Sequence, residues 1–243
     1  MASFFLVLAV GLIAGCLSGV IGTGSSLMLL PVLTYQFGPK HAVPVMAVAA
    51  VIANVSRVAA WWKDIDWKAV LAYAAPGVPA AALGARTLLA LPPRFIDAGL
   101  GVFFLSMLAL RRLRPASRSM PLWGLSLCGA AIGFLTGLVL STGPLSVPVF
   151  TSYGLAGGPF LGTEAATALA LYLSKVTTFR EFGALSGGIV IQGLIVGASL
   201  MAGTFVGKGI VGRIPSHRFA HVVDALILCS GVSLLWTALS NHA

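Results

Sequence analysis

Two short runs of glycine and hydroxylated residues lie inside long apolar stretches: Gly22-Thr23-Gly24-Ser25-Ser26 and Ser141-Thr142-Gly143-Pro144. Ser25 and Ser26 precede the apolar segment Leu27–Tyr35 and read as N-caps of a half-helix. Thr142 and Gly143 precede Pro144, and proline is favoured at the first helical position. A helix that starts in apolar surroundings leaves N–H groups unpaired and turns the positive end of its dipole toward the break. That is chemistry for holding an anion, and the hydroxyls of Thr23, Ser25, Ser26, Ser141 and Thr142 would add donors. Close helix packing would use the same residue types. One motif alone does not decide between the two readings; two at matched positions favour binding.

Two cations lie within apolar runs as well. Arg57 and Lys175 each sit four or five residues from the charged or aromatic end of a run. Ionisable residues at such depth are rare and usually face a cavity, and two cations suit an anion path. Snorkelling to the interface, about 8 Å away at 1.5 Å per residue, is the alternative. Asn54 and Tyr172 lie one turn earlier and share the faces of Arg57 and Lys175. With only six acidic residues in the chain, each is a candidate for ion coupling. Glu164 opens the run after Gly162-Thr163, where it either carries a proton beside the anion or is satisfied by a helix N-terminus. His221 and Asp224 fall with His217 on one helix face and make a second coupling candidate, by default a satisfied pair. No further ligand converges on them, so no metal site is expected. Cys16, Cys128 and Cys229 lie singly in apolar runs as small hydrophobes, without disulfide or metal spacing.

The elements that must position these residues follow from composition. Of 243 residues, 58% are hydrophobic and 9% charged, where a soluble domain carries about a quarter charged. The outer surface therefore faces lipid, and the expected class is an all-α integral membrane protein. The formal net charge of +9 comes from cations scattered between apolar runs, with one cluster at Arg111, Arg112, Arg114 and Arg118. That is a pattern of cytoplasmic loops, and no nucleic-acid partner is expected. Ala2–Phe5 offers no charged segment of a signal peptide.

Crossing a bilayer takes about 20 apolar residues. The runs are Phe4–Phe37, Ala42–Trp62, Trp67–Leu89, Phe95–Leu110, Leu122–Tyr153, Phe160–Phe179, Ile189–Val206 and Phe219–Leu239, with tryptophans at several run ends. Phe4–Phe37 and Leu122–Tyr153 are too long, roughly 50 Å as straight helix against a core of about 30 Å. Both hold a glycine break midway, so each is a broken helix or a re-entrant hairpin. The stretch from Gly11 parallels the stretch from Gly129, and Ala42–Trp62 parallels Phe160–Phe179, placing Arg57 opposite Lys175. The chain thus reads as a first transmembrane repeat over 1–110, an Arg-rich linker over 111–120 and a second repeat over 121–243, each with about three to four transmembrane helices. If the long runs cross once, the halves are parallel and the loop cations divide evenly. If they are hairpins, the halves are inverted. One side then collects Lys63, Lys68, the linker arginines, Lys208, Arg213 and Arg218, which obeys the positive-inside rule.

The spacing Gly22-Thr23-Gly24…Pro31, its partner Gly143-Pro144-Leu145…Pro148 and the repeat resemble the sulfite exporter/anion permease family (TauE/SafE type) over nearly the whole chain. The resemblance implies transport of sulfite, sulfonates and related organic acids across bacterial inner membranes. Ser25 and Ser26 stand where that family often has glycines, as do Val139 and Ser141. The expected function is a multi-pass secondary transporter with a small anionic substrate, working by alternating access with a proton or sodium ion as coupling partner. No cofactor is expected, and no Walker-type phosphate loop is present. A membrane anchor without transport activity and an intramembrane hydrolase are the competing readings. Gly-rich faces serve packing within and between subunits alike, which leaves an oligomer open.

Overall fold

The computed structural model describes residues 9–16, 29, 32–33, 37–92, 95, 98–99, 102, 105–106, 120–139, 142–210, 228, 231–232, 235–236 and 239. Among these the regular structure is helical, without strands. The helices are α1 (Pro39–Ala60), α2 (Trp67–Ala90), α3 (Leu122–Leu138), α4 (Gly143–Tyr153), α5 (Gly157–Glu181) and α6 (Gly187–Ile210), with a single 3-10 turn at Trp62–Asp64 and helical backbone at 9–16. His41–Ala60 and Gly187–Val206 are each long and apolar enough to cross a membrane. Large apolar side chains such as Leu71, Leu83, Trp123, Leu127, Ile191 and Phe205 point outward, as a lipid-facing surface requires.

Local signals set the helix starts. The Asp66 carboxylate accepts from the N–H groups of Lys68 and Ala69 at 3.0 and 3.1 Å and caps α2. Pro39 lies in the first turn of α1, behind Gly38 at φ 74°. Prolines also occur inside helices. Pro76 in α2 has no N–H, which leaves the carbonyl of Ala72 without a helical donor. Ser126 of α3 supplies one, its Oγ donating to Ala72 O at 2.8 Å.

Glycines bring backbones together and fix helix directions. A Cβ on Gly84 would overlap Phe134 O, and one on Gly133 would overlap Gly77 O. Along this seam residue numbers rise together, with Tyr73 beside Gly129 and Ala81 beside Gly137. Helices α2 and α3 are therefore parallel. The same device joins residues 9–16 to α6, where Gly203 abuts Leu12 and Gly15 abuts Leu200. Those two are parallel as well. Gly193 and Gly197 of α6 rest on Val48 and Ile52 of α1, again in parallel.

Helix α5 packs against both α1 and α2. It runs with α2: Asp66 N donates to Thr163 Oγ1 at 3.0 Å, and Ser174 Oγ donates to Val78 O at 2.8 Å. It runs against α1, whose last turn meets its second. Residues 9–16, α1 and α6 thus point one way, and α2, α3 and α5 the other. Three apolar clusters fill the bundle among the described residues, the smallest gathering Val58, Ile65 and Val70 with Ala165 and Ala166. Of the larger two, one joins Ala14, Leu33 and Met46 to Phe179 and Leu200, and the second joins Tyr73, Leu125 and Ile132 to Phe150 and Leu171.

The overlong run Leu122–Tyr153 is a hairpin. Helix α3 stops at Leu138 and α4 begins at Gly143. At the tip the hydroxyls of Thr136 and Thr142 share a hydrogen bond, and at the open end Met120 N donates to Ser152 O at 2.8 Å. Both ends of the hairpin therefore return to one side of the bundle, and α4 begins in its interior.

Candidate functional site

Four helices carry polar side chains into the interior around the hairpin. Helix α4 begins where sequence places it, with Thr142 as the N-cap residue and a proline in the first turn. The Thr142 side chain does not cap the helix; its hydroxyl is engaged with Thr136 instead. The first N–H groups of α4 keep their dipole end in the protein interior, where an anion would be favoured.

Arg57 comes from the last turn of α1, with 7% of the residue exposed. Its Nη1 lies 2.8 Å from Glu164 Oε2 on α5, and its Nη2 donates to Asn54 Oδ1 one turn back. Asn54 Nδ2 in turn donates to Ala50 O at 2.8 Å, which fixes the amide. The shared face expected for Asn54 and Arg57 is thus present. Glu164 is 4% exposed and lies in the second turn of α5, not the first. A helix N-terminus does not satisfy it, because its own N–H lies within the ladder. The guanidinium does so, as an ion pair at 2.8 Å. Ser146 of α4 sits 3.4 Å from Oε1, but its hydroxyl donates more closely to Gly143 O at 2.8 Å.

Lys175 takes a different partner. The residue is 0% exposed, and Nζ donates to Thr136 O at 2.8 Å and Val139 O at 2.9 Å. These carbonyls belong to the last turn of α3 and to its C-cap residue, where the helix dipole is negative. The ammonium also lies 5.5 Å from the Phe179 ring centroid. Snorkelling is excluded for Lys175: it turns inward and holds the hairpin tip. Tyr172, one turn before it, is buried at 6% exposure.

The structure does not bring Arg57 and Lys175 together. Glu164, which marks the Arg57 level, is eleven residues before Lys175 on α5, an axial separation of about 16 Å at 1.5 Å per residue. The start of α4 is tied to both levels, through Thr136 beside Lys175 and Ser146 beside Glu164. Thr136 and Ser146 were not singled out from sequence. Ser146 lies three residues after Gly143, within one turn of the α4 start, and that spacing is the signal that could have found it; Thr136, five residues before Ser141, carries no such signal. Gly22, Thr23, Gly24, Ser25, Ser26, Ser141, His221 and Asp224 lie outside the described residues. Among the described residues no group of three or more His, Cys, Asp or Glu could hold a metal ion.

Comparison with known proteins bears on what this interior serves. The family model described as sulfite exporter TauE/SafE matches residues 7–234. The chain belongs to that family. It is also similar to the protein described as "Probable membrane transporter protein YjnA" of Bacillus subtilis (strain 168), with 27% identity over 255 residues, covering 94% of this chain and 98% of that protein. No solved structure matches. Membership makes this chain a membrane transporter, and the resemblance read from the glycine motifs is thereby established over nearly its full length.

Proposed function

We propose that this chain is a secondary transporter that moves a small anion, of the sulfite, sulfonate or related organic-acid class, across the bacterial inner membrane by alternating access. The observation that carries the reading is the interior start of α4 close to two buried cations, linked to Lys175 through Thr136 and to the Arg57–Glu164 pair through Ser146. Binding falls to the α4 start at Thr142 and Gly143 with Ser141, flanked by Arg57, Asn54, Tyr172 and Lys175. By the repeat, Gly22, Thr23, Gly24, Ser25 and Ser26 form the matching half-site. Glu164 is the coupling candidate within the described residues, and a proton or sodium ion the coupling partner.

Alternating access rests on two inverted halves, 1–110 and 121–243, joined by the linker 111–120. Helix directions support this. Residues 9–16 match α3 in the repeat, α1 matches α5 and α2 matches α6, and the members of each pair point in opposite directions. Packing is exchanged in the same sense: α2 of one half lies on α3 of the other, and α6 lies on residues 9–16. Opposed repeats with the site between them are the common plan of secondary transporters. Lys63, Lys68 and Lys208 lie toward the end of the bundle from which α3 enters after the linker, so the positive-inside rule puts that end in the cytoplasm.

The test is flux in proteoliposomes holding the full chain, with sulfite, isethionate and acetate as probes, with and without a pH gradient. Flux above that of protein-free vesicles is expected, and its loss in Arg57→Ala and in Lys175→Ala. A chain that only anchors partners would move none of the three, and that result would sink the proposal.

A further inference from the structure

The Arg57–Glu164 contact poses a problem for an anion that needs Arg57. The guanidinium already faces a carboxylate at 2.8 Å, with both residues more than nine-tenths buried. A second anion entering beside it would place two like charges in a site that water does not screen, where repulsion is several times stronger than in water. The substrate must displace the carboxylate, or the carboxylate must lose its charge.

We propose that Glu164 and the transported anion compete for Arg57, and that Glu164 gives way by taking up a proton as the anion binds. This deepens the transporter reading above and rests on it. In the empty site Glu164 is ionised and held by Arg57. When the anion arrives, a proton from solution joins a Glu164 carboxyl oxygen, and the guanidinium's charge passes to the anion. The neutral acid can then donate its O–H, which suits it to remain beside an anion. Net, the site takes up one anion and one proton together, and on release gives back both. Transport is therefore symport of the anion with a proton, and the buried network returns to its starting charge.

The neighbours of Glu164 fit this assignment. From α1 it faces Arg57 and Asn54, from α4 the hydroxyl of Ser146, and from α2 the buried phenol of Tyr73, which lies within its electrostatic reach. Asp66 stands ahead of α2 and meets Thr163, the residue next to Glu164, through its backbone. Lys175 lies eleven residues further along α5 and is held by the α3 carbonyls. Among these groups Glu164 alone combines a carboxylate, burial and direct contact with the cation that an anion would use.

The experiment measures binding of isethionate, whose sulfonate keeps its charge over the range used, to the full chain in detergent micelles between about pH 5 and 8. For the wild type, linkage requires the dissociation constant to rise about tenfold per pH unit above the apo titration of Glu164, with uptake of about one proton per anion in weakly buffered solution. Glu164→Gln should bind more tightly at the alkaline end and lose the pH slope. Glu181→Gln, an exposed carboxylate at the end of α5, should keep it. A wild-type affinity that does not change with pH, with no proton taken up, overturns the proposal, and so does an unchanged slope in Glu164→Gln. If that variant fails to fold, proton uptake by the wild type decides by itself. If the wild type binds no anion at all, the failure belongs to the transporter reading instead.

Discussion

Arg57 and Lys175 are both buried cations on long helices, yet the fold uses them differently. Arg57 faces a carboxylate from another helix, a partner that can change charge. Lys175 faces two backbone carbonyls at the end of α3, partners that cannot. The Arg57 end is therefore suited to switch, and the Lys175 end to hold the hairpin in shape while its dipole offers a fixed field. The chemical types fit these roles. A planar guanidinium serves Asn54 and Glu164 at once through its fork, whereas a compact ammonium reaches converging carbonyls.

The largest expected effect tests the switching end. Glu164→Ala leaves the guanidinium buried without its carboxylate and should cost about 3–5 kcal/mol of stability, read as an earlier unfolding transition in detergent. The double variant Arg57→Met, Glu164→Leu should restore most of that stability while transport stays lost. If both variants are equally destabilised, the pair is not electrostatic in the way described. At the holding end, Lys175→Met leaves Thr136 O and Val139 O without a donor and should cost about 2 kcal/mol. Raised proteolysis between Leu138 and Gly143 would show the same loosening; if the hairpin tip stays protected, Lys175 does not hold it.

The smallest effect checks the seam that carries the hairpin. Ser126→Ala removes the donor to the carbonyl freed by Pro76 and should cost about 1 kcal/mol. The double variant Pro76→Ala, Ser126→Ala should recover it, because an alanine in place of the proline brings back the helical N–H. Failure to recover would show that the proline is held for another reason.

What the sequence discloses divides along the same line as the two ends. The interruption at Ser141-Thr142-Gly143-Pro144 was legible, because an apolar run of 32 residues cannot form one straight crossing and Pro144 marks a helix start. That the break is a hairpin tip was not settled by the run itself, since a broken crossing has the same composition; the bond from Met120 to Ser152 spans 32 positions and no local pattern announces it. Arg57 and Lys175 stood out as cations in apolar runs, and Asn54 as a neighbour one turn away. Their partners did not stand out in the same way. Glu164 is 107 positions from Arg57, and the partners of Lys175 are carbonyl groups, which every residue has. Glu164 also reads from sequence as opening its helix, whereas α5 starts at Gly157, seven residues earlier. Gly157 and Gly158 look like a separator by composition but lie in the first turn.

An anion held at the start of α4 between the two cations is the centre of the proposed mechanism. Selenite, a heavier analogue of sulfite, can be located by anomalous diffraction from crystals of the protein grown with it. A selenium peak is expected within hydrogen-bond reach of the first N–H groups of α4, on the side facing Arg57 and Lys175. A peak elsewhere in the bundle, or a protein that binds selenite only on its surface, would contradict that placement.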